Sequence, residues 1–367
     1  MTKERIGLGL IGTGNVGRIH LTGISSLIEA GLVNVQISAL CDSDPKSLKE
    51  AAELFGVETV YEDYEGLIND EGVNIVYVCT PTSKHGDMVK ATAKAGKHVF
   101  CEKPLAHSTP QARELLMVTK DAGVMAGVGL VLRLDQLLLY AKNLLAKHDF
   151  GKPILAHIRD DQRFPVDYIY YSKWRGDRSI AGGGTLIEHS IHDIDILQWF
   201  LGDVESVYAK IGFFAGREVE DQASLIMTHK DGAVSTLDSI WHWVERPNER
   251  RIEFFFEKGY MGIALESEKR FLDYQLQGQS PVRVSEIETR STLLNHLGLV
   301  EKKLSPDVVE VLTEVGSERY AALSYSFLKA ILSGNAPSPD FMDAIAAHKV
   351  VDAAYRSSSE SRCVEQL

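Results

Sequence analysis

The fold is decided by a glycine-rich stretch near the start of the chain, Gly12-Thr13-Gly14-Asn15-Val16-Gly17. The stretch follows an apolar run over residues 6–11 and precedes an amphipathic segment over residues 16–30, so it joins a predicted strand to a predicted helix. Glycines at this spacing allow a tight turn and the close approach of a pyrophosphate, which backbone N–H groups at the helix start would bind. The stretch therefore predicts a dinucleotide-binding loop, and a tight turn that binds nothing is the alternative interpretation.

Outward from this loop, the first 130 residues alternate apolar runs with helical patterns. Strands are predicted over residues 6–11, 35–41, 74–79, 97–101 and 124–128. Helices between consecutive strands imply crossover connections and a parallel sheet that is covered on both faces. Residues 1–130 are therefore predicted to form a doubly wound α/β domain.

The pattern changes beyond residue 130, where strand-like segments follow one another without helices between them. Such a succession is typical of a largely antiparallel sheet, which leaves one face free to pack on helices or on another subunit. Residues 131–340 are therefore predicted to form a second α/β domain with a large, mostly antiparallel open sheet. Residues 341–367 are predicted to form a C-terminal helix that packs back on the first domain.

Length and composition fit a two-domain globular protein, because the chain has 367 residues, of which 44% are hydrophobic and 25% are charged. Its 39 Lys and Arg against 51 Asp and Glu give a net charge of −12, which disfavours nucleic acid or an anionic membrane as a partner. The start of the sequence lacks a secretory pattern, and no apolar run approaches the roughly 20 residues that cross a bilayer. The four cysteines show no C-x-x-C spacing. We therefore expect a cytosolic protein with buried, reduced thiols.

Asp42 closes the second predicted strand, 25 residues after Gly17. A carboxylate at this position accepts hydrogen bonds from the adenosine ribose hydroxyls and repels a 2′-phosphate, so NAD is favoured over NADP. Lys46 lies close enough in the sequence to soften that preference. The alternative interpretation of Asp42 is a helix cap or turn residue in Asp42-Ser43-Asp44-Pro45.

Polar side chains also follow the predicted strands over residues 74–79 and 97–101, in Thr80-Pro81-Thr82-Ser83-Lys84-His85 and in Glu102-Lys103-Pro104. Ligands of doubly wound sheets bind outside the carboxyl ends of the strands, so these segments are predicted to border the cofactor. A surface salt bridge is the alternative interpretation of the adjacent Glu102 and Lys103. The predicted cofactor-binding residues are Gly12, Thr13, Gly14, Asn15, Val16, Gly17, Asp42, Thr80, Thr82, His85, Glu102 and Lys103.

These motifs, together with a helix that contains Glu188 and His192, resemble the glucose-fructose oxidoreductase and inositol dehydrogenase family (Gfo/Idh/MocA). The resemblance covers residues 5–130 clearly and extends to residues 150–215 and the terminal helix, and Glu102-Lys103-Pro104 is its most specific element. It implies a Rossmann domain followed by an α/β domain whose open sheet forms an oligomer interface, as in a homodimer or homotetramer. It also implies the NAD- or NADP-dependent oxidation or reduction of sugars and cyclitols.

The predicted helix after residue 184 supplies the remaining candidates for catalysis. At 100° per residue, Glu188, His192 and Asp195 fall within about 60° of one another. His192 has the basicity to accept a hydroxyl proton, Glu188 could orient it, and Asp195 could bind a neighbouring hydroxyl. Lys103 could stabilise the negative charge that develops on the reacting oxygen. The resemblance implies that Lys103 and His192 serve the catalytic site, and that an aspartate usually stands at the position of Glu188.

A loop rich in tyrosine and arginine precedes that helix and is predicted to line the pocket of a polyhydroxylated substrate. The predicted substrate-binding residues are Lys103, Arg163, Trp174, Arg175, His192 and Asp195. An exposed ordered loop or an interface segment is the alternative interpretation of this stretch. Arg133 matches a family arginine near the cleft, but its neighbours differ from the family pattern.

The sequence thus predicts an NAD-dependent dehydrogenase that oxidises a secondary alcohol of a sugar, a sugar derivative or a cyclitol. A nucleotide-binding or sugar-binding regulator without turnover is one alternative. A metal-dependent sugar isomerase or lyase is another. Such an enzyme would take its metal ligands from Glu188, His189, His192, Asp193 and Asp195. These side chains point in different directions around a helix, so no metal is expected.

Overall fold

The computed structural model describes residues 5–169, 172–265, 270–313 and 318–365. The chain divides into two compact units, each assembled from separate stretches of sequence. The first unit contains the residues up to Ala106 together with Pro110–Val131 and Leu297–Ala344. The second contains His107–Thr109, Leu132–His296 and the residues from Ile345 onward.

The first 130 residues form alternating strands and helices, as predicted. In chain order they are β1 (Ile6–Ile11), α1 (Asn15–Glu29), β2 (Val35–Cys41), α2 (Pro45–Phe55), β3 (Val60–Tyr61), α3 (Tyr64–Asn69), β4 (Ile75–Val78), α4 (Thr82–Lys94), β5 (His98–Cys101), α5 (Thr109–Asp121) and β6 (Ala126–Val128). The strands form a parallel sheet in the order β3-β2-β1-β4-β5-β6. The predicted doubly wound α/β fold is therefore confirmed.

Local sequence explains where these helices begin and end, and α2 shows it most clearly. The Asp44 side chain accepts a hydrogen bond from the Lys46 backbone N–H, and Pro45 occupies the first helical position, where its missing N–H is not needed. Gly56 ends the helix in the left-handed region, with φ at 64°. The neighbouring Asp42 therefore lies where β2 leads into this capped helix.

The second unit begins with helices and helical turns, with one long strand, β7, among them. A run of consecutive strands follows. Its elements are a 3₁₀ turn (Val131–Leu134), α6 (Gln136–Lys147), β7 (Pro153–Arg163), a π-helical turn (Pro165–Ile169), a 3₁₀ turn (Lys173–Gly176), α7 (Arg178–Ala181), a second π-helical turn (Thr185–His189), α8 (Ile191–Leu201), β8 (Val204–Gly212), β9 (Gln222–His229), β10 (Val234–His242), β11 (Glu249–Phe256), β12 (Gly259–Leu265), β13 (Phe271–Leu276), β14 (Val282–Ser285) and α9 (Glu286–His296).

The chain then returns to helix and ends in a short strand. These last elements are α10 (Pro306–Thr313), α11 (Glu318–Ser333), α12 (Phe341–Glu360) and β15 (Val364–Glu365).

The strands of the second unit form one sheet in the order β14-β13-β12-β11-β7-β10-β9-β8-β15. Within this sheet β7 and β10 pair in parallel, and the other pairs are antiparallel. The predicted mostly antiparallel sheet is therefore confirmed. Its strands alternate: in β10, Leu237 and Trp241 are buried, whereas Thr236 and Asp238 are half-buried on the other face. The buried face packs against α8 and α12 to form the core of this unit.

The C-terminal segments are divided between the two units. Residues 297–344 belong to the first unit, where Gly23 of α1 lies so close to α11 that an added Cβ would be 3.0 Å from the Cβ of Ala321. The apolar face of α12 lies in the core of the second unit, and the expectation that the last helix packs on the first domain stays a prediction. Periodicity shows that a helix has an apolar face, but it does not show which core that face enters.

Several elements had no predicted counterpart, namely β3, β13, β14, β15, α3, α7, α9 and α10. The strands among them are short, and β3 and β15 have two residues each, so they carry too little periodicity to be recognised. Among the described residues, no helix is both long and apolar enough to span a membrane.

Candidate active site

The glycines of the β1–α1 loop have two kinds of surroundings. Gly12 and Gly17 lie against other backbone atoms, whereas Gly14 has open space around it. Gly12 has φ at +98°, and an added Cβ would be 2.6 Å from the Cys79 carbonyl oxygen. An added Cβ on Gly17 would be 2.0 Å from the Gly12 carbonyl oxygen. Around Gly14, by contrast, an added Cβ would meet no heavy atom within 4 Å. The loop is thus packed tightly at both ends and open at Gly14, where the helix begins.

Asp42 is bonded to this loop through its carboxylate. Its Oδ2 accepts hydrogen bonds from the Thr13 backbone N–H at 2.7 Å and from the Thr13 hydroxyl at 2.9 Å. Its Oδ1 accepts a bond from the Asp44 N–H at 2.9 Å, as expected of a turn residue. Arg18 also braces the loop, since its Nε donates to the Thr13 carbonyl at 2.9 Å. At the start of α1, Asn15 is exposed and Val16 is half-buried.

The segment after β4 is tied to the segment after β5 by a buried histidine. The two ring nitrogens of His85 lie 2.9 Å from the carbonyl oxygens of Thr80 and Pro104. Thr82 is buried in the first turn of α4, and the Thr80 hydroxyl lies 3.5 Å from the sulfur of Met88. His85 thus holds together the two strand ends that the sequence indicated as borders of the cofactor site.

Glu102 is a buried residue, so its interpretation as part of a surface salt bridge is wrong. Only 6% of it is exposed. Its Oε1 lies 2.8 Å from His20 Nε2, and its Oε2 accepts a hydrogen bond from the Lys103 backbone N–H at 3.1 Å. The other nitrogen of His20 lies 3.0 Å from the Ser324 hydroxyl of α11. Glu102 therefore fixes the backbone of Lys103, a half-buried residue at the carboxyl end of β5.

His20 and Ser324 are not among the residues that the sequence predicted for this site. The signal for His20 was its place on the buried face of α1, three residues after Gly17, where an unpaired histidine would be costly. Its partners lie 82 and 304 residues away in the chain, and no local pattern could identify them.

In the second unit, the catalytic candidates lie on a helix that is not continuous. The Ser190 N–H donates to the Thr185 carbonyl at 2.9 Å, which is the five-residue step of a π-helical turn. The predicted uninterrupted helix is therefore wrong at this point, and the uniform 100° spacing does not hold across it. Such turns occur frequently at functional sites.

Glycines and Glu220 hold this turn in place. An added Cβ on Gly184 would be 1.9 Å from the Glu220 carbonyl oxygen, which accepts a hydrogen bond from the Thr185 N–H. The Glu220 carboxyl accepts bonds from the Leu186 N–H at 3.1 Å and from the Tyr355 hydroxyl at 2.8 Å. Burial raises the pKa of Glu220, although these donors act to lower it. No local pattern in the sequence indicated Glu220 or Tyr355.

The three candidate side chains of the helix are all buried, and two of them are paired with arginines. Glu188, His192 and Asp195 are 2%, 6% and 2% exposed. Arg175 Nε lies 3.4 Å from Glu188 Oε2. Arg133 donates from Nε and Nη2 to the two oxygens of Asp195, at 2.9 and 2.6 Å. Arg133, whose role was doubtful from the sequence, thus orients and neutralises Asp195.

The other candidates of the tyrosine-rich loop lie in two different places. The Arg175 guanidinium stacks on the Trp174 ring at 4.3 Å and donates to the Ser172 hydroxyl at 2.6 Å, so Arg175 contacts both Trp174 and Glu188. Arg163 ends β7, where its Nη2 lies 3.5 Å from Glu245 Oε1. Tyr170 and Tyr171 lie outside the described residues. Within the described residues, no group of three or more His, Cys, Asp and Glu side chains is arranged to hold a metal ion.

Comparison with known proteins assigns both parts of the chain to one family. A family model described as an oxidoreductase family with an NAD-binding Rossmann fold (GFO_IDH_MocA) matches residues 6–130, and the model of a GFO/IDH/MocA C-terminal domain matches residues 138–261. An uncharacterized oxidoreductase of Bacillus subtilis, YrbE, is 31% identical over 267 residues, which are 71% of this chain and 73% of that protein. A myo-inositol 2-dehydrogenase of Thermotoga maritima is 33% identical over 260 residues, which are 69% of this chain and 73% of that protein.

A solved structure of similar fold is levoglucosan dehydrogenase in complex with NADH and levoglucosan. The two chains superpose with a TM-score of 0.85 over 99% of each chain, at 23% sequence identity. At that identity, the likeness concerns the fold.

Proposed function

The chain belongs to the Gfo/Idh/MocA oxidoreductase family, with an NAD-binding Rossmann fold, and on that premise we propose that it oxidises a secondary alcohol of a sugar, a sugar derivative or an inositol. The observation that carries the proposal is the buried Glu102 carboxylate, which fixes the backbone of Lys103 at the carboxyl end of β5. A lysine held there is suited to act on a ligand bound at that edge of the sheet.

The residues of the first unit fit a dinucleotide. The open space at Gly14 leaves room for a pyrophosphate at the start of α1, where backbone N–H groups attract anions. Asp42 would accept hydrogen bonds from the ribose hydroxyls, and Thr80, Thr82 and His85 would border the cofactor from the neighbouring strand ends. Bound NAD supplies the hydride acceptor, and the Asp42 carboxylate disfavours the 2′-phosphate of NADP.

The proposed chemistry assigns the proton and the charge to separate residues. His192 accepts the proton of the substrate hydroxyl, a role that in enzymes contributes roughly 10²- to 10⁴-fold to the rate. Glu188 orients His192, and the Lys103 ammonium stabilises the negative charge on the reacting oxygen. The Arg175 guanidinium beside Glu188 limits the net charge of this buried group.

The substrate would be a small polyhydroxylated molecule. Asp195, His192 and Lys103 would bind its hydroxyl groups, and Trp174 would pack on its C–H surface. Arg175 and Arg163 complete the proposed substrate-binding set. The myo-inositol 2-dehydrogenase of T. maritima, at 33% identity, supports a cyclitol or a sugar as the substrate class.

We also infer the setting in which the enzyme acts. All four cysteines are unpaired, as is usual in the reducing cytosol. The outer face of the nine-stranded sheet exposes Leu155, Tyr208, Ile226 and Phe255, which supports its proposed role as the interface of a homodimer or homotetramer.

The test is a screen of purified protein with NAD against sugars and inositols, followed by the variant Lys103→Met. NAD reduction, read at the absorbance band of the reduced nicotinamide, should appear with at least one polyol. The variant should lose more than about 10³-fold in kcat while the Kd for NAD changes less than about threefold, because the ammonium acts on the substrate oxygen. Lys94→Met, an exposed lysine at the far end of α4, is the matched control and should retain full activity.

Other outcomes would contradict this function. Full turnover by Lys103→Met would remove the proposed mechanism. NAD binding without reduction by any polyol would instead indicate a regulator. Activity that is lost on chelation and does not respond to NAD would indicate a metal-dependent isomerase or lyase.

A further inference from the structure

Arg250 of β11 is an arginine in the interior of the second unit, and the proposed reaction does not use it. Only 1% of its surface is exposed. Its Nε donates to Asp193 Oδ1 at 2.7 Å, and its Nη2 donates to Asp160 Oδ2 at 2.7 Å. Asp193 belongs to α8 and follows His192 directly, whereas Asp160 belongs to β7. One guanidinium thus connects the candidate catalytic helix to the sheet.

Arg250 and burial act differently on the two carboxylates of this group. Burial acts to raise the pKa of Asp160, but Arg250 and His189 together hold it far below its ordinary value. Burial raises the pKa of Asp193 well above its ordinary value, and the Asp160 carboxylate adds to that effect. Arg250 thus lies between a carboxylate whose charged form it stabilises, Asp160, and a carboxylate whose charged form burial disfavours, Asp193.

The same group also holds the π-helical turn. His189 Nε2 lies 2.9 Å from Asp160 Oδ2, and the Ser190 hydroxyl donates to the same oxygen at 3.3 Å. Ser190 is also bonded to the Ser239 hydroxyl of β10 at 2.6 Å, and Ser239 lies 2.7 Å from the Thr185 hydroxyl. Both ends of the turn are therefore bonded to this cluster.

Stability alone does not account for such a cluster. Desolvating charged groups costs several kcal/mol each, and well-packed apolar residues in their place are often as stable or more so. Burial does not mark one face of α8 as the inner one, because Ile191, Asp193, Ile194 and Asp195 are all 2% exposed or less and lie around its circumference. Hydrogen bonds depend on direction, so they can select one rotation of the helix.

We propose that Arg250 is a positioning residue, whose bonds to Asp193 and Asp160 fix the rotation of α8 and the π-helical turn that present His192 and Glu188. The inference rests on the proposed function for the roles of His192 and Glu188, but the anchoring of the helix by Arg250 is measurable without turnover.

The test compares three variants. Arg250→Met removes the guanidinium and leaves Asp160 as an uncompensated buried charge. Arg250→Met combined with Asp160→Asn removes both charges and restores electrical balance. Arg251→Met is the matched control, because Arg251 is the next residue of β11 on the opposite face, where it stacks on Phe271 at 5.3 Å. Each variant is measured for Tm, for hydrogen exchange of the backbone amides of residues 185–195, and for kcat, KM and the Kd for NAD.

The double variant decides between positioning and plain stabilisation. It should recover most of the Tm that Arg250→Met loses, yet amides 185–195 should exchange at least tenfold faster than in Arg251→Met. Its kcat should stay at least tenfold below that of the control, with the Kd for NAD unchanged. Recovery of exchange protection and kcat along with Tm would overturn the proposal. If the wild-type protein reduces NAD with no polyol, the proposed function fails, and the exchange measurement alone still decides the role of Arg250.

Discussion

At the scale of single residues, His348 of α12 has no part in the proposed chemistry but should affect stability. It is 0% exposed, and neither ring nitrogen has a hydrogen-bond partner in the part of the chain that the structure describes. Burial, with a smaller contribution from His107, lowers the pKa of His348 from 6.5 to about 3. The folded protein therefore keeps this histidine neutral over a pH range in which the unfolded chain protonates it.

The sign of the resulting pH dependence follows from that difference. As pH falls below 6.5 the unfolded state binds a proton that the folded state does not, so stability is lost until the pH reaches about 3. The loss is about 1.4 kcal/mol for each pH unit. We expect His348→Leu to reduce the fall in unfolding free energy between pH 6.5 and pH 4.5, as measured by urea denaturation. His148→Leu, at an exposed histidine, is the control, and identical pH profiles for His348→Leu and the wild type would refute the prediction.

Glu188 is the residue at which this chain departs from the family pattern suggested by its sequence. The sequence alone left the contact partner of the longer carboxylate open. The structure pairs it with Arg175, which also stacks on Trp174. The tyrosine-rich loop and the helix are therefore linked through this ion pair, whose members are 13 residues apart in the chain.

At the scale of elements, the β1–α1 loop uses its glycines for different physical reasons. Gly12 and Gly17 are required by the protein's own backbone, because an added Cβ would collide with a carbonyl oxygen at each position. Gly14 is different, because nothing within 4 Å in the protein excludes a side chain there. The requirement at Gly14 would come from a bound pyrophosphate.

This difference predicts opposite results for two alanine variants. Gly14→Ala should leave the unfolding free energy within about 0.5 kcal/mol of the wild type, as for an ordinary surface change, while the Kd for NAD rises at least tenfold. Gly17→Ala should lower the unfolding free energy by more than about 2 kcal/mol, because the new Cβ overlaps the Gly12 carbonyl. Calorimetric titration and denaturant unfolding measure the two effects. Unchanged NAD affinity in Gly14→Ala would count against this loop as the cofactor site.

The π-helical turn at Thr185–His189 is the element that sequence reasoning described incorrectly. The residues of the turn have ordinary helical periodicity, and the glycines before it indicate only a boundary. The wider turn depends instead on partners outside the segment, namely Glu220, Ser239 and Asp160. A pattern that reads neighbours in the chain cannot detect a geometry imposed by other strands.

At the scale of the whole molecule, the nine-stranded sheet leaves apolar side chains on its outer face. Ile226 of β9 is 54% exposed and stands opposite Tyr208 of β8 and Thr236 of β10. Leu155 of β7 pairs in the same way with Phe255 of β11. Exposed apolar side chains that share one face of a sheet are typical of a surface that is covered in an oligomer.

We expect Ile226→Glu to convert the proposed oligomer into monomers, because a self-complementary interface would place the new carboxylate in an apolar environment in each copy. Light scattering after size-exclusion chromatography measures the mass. Ile287→Glu, at a more exposed isoleucine of α9, should leave the mass unchanged. A wild-type protein that is already monomeric would contradict the proposed interface.

The sequence by itself determined the doubly wound sheet, the open antiparallel sheet and the main candidates Lys103, Glu188 and His192. These follow from signals carried by residues close together in the chain: the glycine spacing, the alternation of apolar residues and the charged residues at strand ends. Only the tertiary structure decided which core each C-terminal helix enters, that Glu102 bonds to His20, and that Arg250 bonds to Asp193. The physical reason is that a buried charge needs a partner, and packing selects partners that are far away in the chain, 82 residues for Glu102 and 57 for Arg250, which no local pattern records.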